Sequence, residues 1–205
     1  MPFNAKQAAD KTTYYGGEER VAIDLHLLPE AKPTLVLSYG LTKAASAESL
    51  VLPHLLGSSP AVKWSAGGSS PLGQAAAATE GSTASAILSS YSDAQLLSIE
   101  VQAEGSKRLS ETGKAVVAAI HELSGGKLSD EQVKGAVARA KFEAAANAEY
   151  TSSVALAVAN QLLTGKSASL ADTFKALDAV TPESLAKVRL AQAGPFSRGR
   201  AADMP

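Results

Sequence analysis

The spacing of apolar residues changes along this chain, and that change limits the folds it can adopt more than any other feature. Apolar and polar residues alternate in residues 20–28, 34–40 and 96–104, and a further strand is predicted over residues 82–91. Alternation of this kind predicts half-buried strands. From Gly105 onward, the apolar residues follow a helical period, which predicts helices with one buried face. The chain is therefore predicted to contain paired strands and to end in a run of helices.

Capping residues predict where the helices begin and end. Ser46 and Gly57 bracket a first helix, and a short alanine-rich helix is predicted over residues 72–79. Ser129 with Gln132 predicts a capping box for a later helix. The other helix signals are Gly125-Gly126 at the end of the helix that follows Gly105, residues 153–164, Leu170 with Phe174 and Leu177, and Thr181-Pro182-Glu183.

Two apolar stripes predict the buried faces of the first two helices after Gly105. Lys134, Arg139 and Lys141 lie outside the second stripe and are predicted to form a solvated face, because charged side chains are rarely buried. The stripes consist of Leu109, Val116, Ile120 and Leu123 in the first helix and of Val133, Val137, Ala140 and Ala144 in the second.

The order of these elements predicts the fold class. Two strands, two helices, two further strands and then only helices predict an α+β domain, with a largely antiparallel sheet and helices packed on one face. The turn sequence PEAKP, residues 29–33, predicts that the first two strands form an antiparallel hairpin. No linker or repeat interrupts the chain, so a single domain is predicted.

Composition excludes several classes of function. The 205 residues include no cysteine, which excludes disulfides, thiolate nucleophiles and cysteine-ligated metals. A formal net charge of -1 predicts no broad basic surface for nucleic acid. No apolar run approaches the roughly 20 residues that a membrane span needs. The N-terminal residues 1–20 lack the pattern of a secretory signal or a transit peptide.

The three histidines, His26, His54 and His121, form no zinc-peptidase motif. His121-Glu122 begins like H-E-x-x-H, but Gly125 occupies the position of the second histidine. The inverted pattern H-x-x-E-H fails at each histidine. We expect His26 on the solvent side of a strand and the other two histidines on helix surfaces.

Other motifs of catalysis and phosphate binding fail in the same way. Residues 164–167, TGKS, end like a phosphate-binding loop, but Asn160 replaces the leading glycine and the segment follows a helix. Gly165 is therefore interpreted as a helix cap. The serines of residues 57–73 have no histidine nearby in sequence, and a partner from elsewhere in the fold stays open. No catalytic residue, cofactor site or metal site is predicted.

Five phrases occur in an order that resembles one family: YYGGEERV, LLGSSPAVKW, SYSDAQLLSIEV, GKLSDEQVKGAVARAK and LDAVTPESLAKV. Together they resemble the C-terminal half of the core 2 proteins, which are subunits of the mitochondrial cytochrome bc1 complex. The core subunits are similar to the mitochondrial processing peptidases and belong to the same family. The resemblance extends from about Tyr14 to Val188, and it depends on order and spacing rather than on a single phrase.

The resemblance implies a non-catalytic structural subunit on the matrix side of the mitochondrial inner membrane. In active members the zinc motif belongs to an N-terminal domain, and core 2 is a silent relative. The implied partners are core 1 and the other bc1 subunits, with no nucleic acid, membrane span or small-molecule substrate. On the same grounds residues 1–13 are a linker remnant, residues 14–192 a single domain, and residues 193–205 an irregular tail without the closing strand of the relatives.

The loop of residues 57–73 helps to choose between relatives. In the family that the chain resembles, the silent α subunit of the processing peptidase has a run of glycines at the matching position. That flexible run helps to handle presequences. In this chain Pro60, Val62 and Trp64 stand in that run, which favours an ordered loop. Lys63 and Trp64 are predicted partner contacts, and a role for Trp64 as a lid on its own domain stays open.

Two other functions stay open at this point. One is a silent peptide-handling domain of a processing-peptidase-type complex, which would bind presequences through this Gly/Ser/Pro loop. The other is an unrelated α/β domain that acts alone.

Overall fold

The computed structural model describes residues 16–22, 31–41, 46–58, 70–91, 93–125, 128–164 and 169–186. These residues form three strands and seven helices. The strands are β1 (Thr34–Leu41), β2 (Thr83–Ser90) and β3 (Gln95–Gln102). The helices are α1 (Ala47–Leu56), α2 (Pro71–Ala77), α3 (Ser106–Gly125), α4 (Asp130–Glu149), α5 (Thr151–Thr164), α6 (Leu170–Asp178) and α7 (Pro182–Ala186).

The three strands form one antiparallel sheet in the order β1-β3-β2. Leu37 of β1, Ile99 of β3 and Ala86 of β2 lie side by side across it. The central strand β3 buries Leu97, Ile99 and Val101 completely, as its alternation predicts. The burial of alternate residues therefore defines one face of the sheet as the core face.

The opposite face of the sheet carries polar and half-exposed apolar residues. Val36 of β1 and Ile87 of β2 are each about half exposed. Between the strands, the hydroxyl groups of Ser38 and Ser98 form a hydrogen bond of 3.2 Å. One solvated face is usual for an antiparallel sheet.

Helices α1, α2 and α3 pack on the core face of the sheet. Leu52 and Leu56 of α1, Leu72 of α2, and Val116 and Ile120 of α3 form one buried cluster with the apolar residues of β3. The predicted α+β fold, with an antiparallel sheet and helices on one face, is confirmed, and so is the stripe predicted for α3.

A second buried cluster lies on the other side of α1. Val51 and Leu55 of α1 pack with residues of α4, α6 and α7 and with Val180. Because Leu52 and Leu56 belong to the first cluster, α1 is buried on two sides. The partners contributed by the later helices are Val133, Ala136, Ala140, Leu177 and Leu185.

Local capping explains where several helices begin. Ser46, Ser129 and Ser169 each accept a hydrogen bond from the backbone N–H three residues later, and each belongs to a capping box. The Thr181 hydroxyl accepts from the Ser184 N–H at 3.2 Å before α7. The caps predicted at Ser46, Ser129 and Thr181 are confirmed.

The prediction of a solvated face on α4 is confirmed for Lys134 and Arg139, which are exposed, whereas Lys141 is half-buried. Two of the three cations also contact neighbouring helices. Arg139 Nη1 donates to the backbone carbonyl of His54 in α1 at 3.2 Å. Lys141 forms an ion pair with Asp178 of α6, and its Nζ lies 5.6 Å from the ring centroid of Phe174. The two cations therefore connect α4 to its neighbours across the sequence.

The predicted first strand falls largely outside the described residues. Residues 20–22, where it was expected to begin, are described and are not in a strand. Residues 23–30 lie outside the described part of the chain, and with them His26 and the first two residues of the predicted turn, 29–33. Residues 31–33 are described and belong to no helix or strand.

We predict that Leu97→Ala lowers the free energy of unfolding by about 2–5 kcal/mol, because it leaves a cavity in a fully buried site. Chemical denaturation measures this change. Leu96→Ala removes the same atoms one position away, on the half-buried face of β3, and should cost about 1 kcal/mol. Equal losses for the two variants would contradict the assignment of the core face.

Candidate functional site

The predicted contact residues Lys63 and Trp64 lie outside the described residues, but both ends of their loop are described. Gly57 ends α1 with a φ of 133°, and Ser70 caps α2 by accepting from the Gly73 N–H at 3.2 Å. A Cβ atom on Gly57 would lie 2.5 Å from Ser70 Oγ. The two ends of the loop therefore meet at a point where only glycine fits.

The base of this loop is attached to the sheet. The carbonyl of Gly57 accepts a hydrogen bond from the Ala86 N–H of β2 at 2.9 Å. The loop therefore begins at a residue that is hydrogen-bonded to β2, the strand at one edge of the sheet.

Ser58, His54 and Glu143 form a polar cluster next to this base. The Ser58 hydroxyl lies 3.0 Å from His54 Nδ1, and Glu143 Oε2 of α4 lies 3.4 Å from His54 Nε2. With the ring proton on Nε2, Ser58 donates to Nδ1, while the Glu143 carboxylate faces Nε2 as a charged neighbour without a hydrogen bond. His54 is 8% exposed, so its predicted place on a helix surface is wrong.

The cluster has the membership of a serine–histidine–carboxylate triad, yet its position opposes acyl-transfer chemistry. Ser58 follows the C-terminal end of α1, where the helix carbonyls present partial negative charge. An oxyanion formed beside Ser58 would be destabilised there, whereas catalysis requires its stabilisation. The adjoining cleft holds about 260 Å³, below the roughly 300–1,000 Å³ of ligand pockets. We therefore assign the cluster a structural role.

Burial decides the charge state of His54. Loss of solvent lowers the pKa of the imidazole below its ordinary value of 6.5, the Glu143 carboxylate opposes that shift, and Arg139 adds to it. The neutral ring is thus favoured in the folded protein. In this form it joins α1 to α4 through Glu143 without a buried charge.

The described residues contain neither a metal-binding cluster nor a membrane-spanning helix. No group of three or more His, Cys, Asp or Glu side chains there is arranged to hold a metal ion. No helix among them combines the length and apolarity needed to cross a membrane.

Helix α5 exposes large apolar side chains on two sides. Its sequence, TSSVALAVANQLLT, contains no charged residue. Leu156 is 65% exposed, and Val154 and Val158 are exposed on the opposite side. Tyr150, which joins α4 to α5, is also exposed. We call Tyr150, Val154, Leu156 and Val158 the α5 surface.

Comparison with curated proteins finds relatives of one kind. Cytochrome b-c1 complex subunit 2 of Cryptococcus neoformans is 40% identical over 161 residues, which cover 78% of this chain and 36% of that protein. The subunit 2 of Neurospora crassa is 36% identical over 188 residues, 89% of this chain and 38% of that protein. The chain thus spans little more than a third of the length of these relatives. No family model matches it.

Solved structures share the fold. A chain of complex III2 from Candida albicans matches 75% of this chain and 38% of its own length, with a TM-score of 0.65 and 18% identity. The inactive peptidase domain of a putative zinc protease from Bordetella parapertussis matches 78% of this chain and 86% of its own, with a TM-score of 0.58 and 13% identity.

The chain therefore has the α+β fold of zinc-protease-like domains. Within that class, the curated relatives identify the lineage. The chain belongs to the family of mitochondrial cytochrome b-c1 complex subunit 2, the core 2 protein, and corresponds to about a third of its length.

Two features of the site had signals in the sequence that pattern analysis missed. Ser58 follows His54 by four positions, which places both on one side of the end of α1, so the absence of a nearby histidine was wrongly inferred. The lack of any charge in residues 151–164 also marks α5 as a helix without a charged face. Glu143 had no local signal, because it lies on α4, far from His54 in sequence.

We predict that the free energy of unfolding falls as the pH is lowered from 7.5 to 5.5. The folded pKa of His54 lies below 6.5, so stability that is complete above pH 6.5 is lost as the pH falls toward the folded pKa. Chemical denaturation at several pH values measures the slope.

His54→Gln removes the titrating ring and should reduce this acid-side loss. His121→Gln, at an exposed position on α3, is the matched control and should keep the wild-type slope. A His54→Gln variant with the wild-type slope would show that the buried ring does not contribute to it.

Proposed function

We propose that the chain is a non-catalytic structural subunit of the mitochondrial cytochrome bc1 complex. In this proposal it is the C-terminal domain of a core 2 protein, peripheral to the inner membrane on the matrix side. It packs against core 1 and neighbouring subunits. The observation that carries the proposal is the 40% identity to cytochrome b-c1 complex subunit 2 over 78% of the chain.

The described residues support a structural rather than a catalytic role. The one arrangement that resembles a catalytic centre, Ser58 with His54 and Glu143, lies at the negative end of α1 and connects two helices. Function depends on the site rather than on the fold, so likeness to zinc proteases does not itself argue for peptidase activity.

We predict that the chain, tagged and expressed in its native cells, co-migrates with cytochrome b and cytochrome c1. Mitochondria solubilised in a mild detergent and separated by native electrophoresis provide the measurement. A second lane with an unrelated tagged matrix protein controls for trapping. A chain that never runs with the two cytochromes would refute the proposal.

Lys63 and Trp64 enter the proposal as subunit contacts. We predict that Lys63→Ala with Trp64→Ala lowers the co-migrating share of the chain several-fold, because an aromatic anchor at an interface is often worth 2 kcal/mol or more, about 30-fold. The alternative peptide-handling function predicts weaker binding of a fluorescent presequence peptide instead. Unchanged co-migration together with lost peptide binding would favour that alternative.

A further inference from the structure

We draw no further inference here: the strongest candidate, the α5 surface with its exposed apolar side chains on two sides of the helix, carries none because nothing in the structure shows what covers it.

Discussion

The described structure depends on the burial of α1 on two sides. Leu52 and Leu56 pack toward the sheet, while Val51 and Leu55 pack toward α4, α6 and α7. Successive residues of a helix point about 100° apart, so the apolar segment 51–56 supplies both faces. Each buried leucine or valine is worth about 1.5–3 kcal/mol. Loss of α1 would therefore expose the sheet and the later helices together.

Polar contacts gather where α1 ends, and they explain why a triad-like cluster occurs without chemistry. The buried imidazole has a hydrogen-bond partner for Nδ1 in Ser58, and the Glu143 carboxylate lies 3.4 Å from Nε2. Arg139 pairs with the carbonyl of His54 at the same helix end, where a cation is favourable. The cluster thus satisfies buried polar groups and connects α1 to α4. It stands beside Gly57, from which the proposed contact loop departs.

Much of the fold could be predicted because its signals are local. The alternation in β3 and the box formed by Ser129 and Gln132 depend on residues a few positions apart. The contacts between helices have no such local signal, because their partners lie far apart in the sequence. Arg139 meets His54 across 85 positions, and Lys141 meets Asp178 across 37. The sequence assigned these charges to solvent because charged residues are usually there, and no pattern within a helix indicates such a partner.

The amino-acid sequence alone was sufficient for the order of elements from β1 to α7 and for the capped helix starts, since both follow from residue type and spacing along the chain. The relation to core 2 came from the resemblance of five phrases. Folding in three dimensions was needed to bury His54, to join the loop ends at Gly57 and Ser70, and to leave both sides of α5 exposed. These properties depend on which elements come into contact. Burial is a property of contacts between distant segments, and spacing along one segment does not specify them.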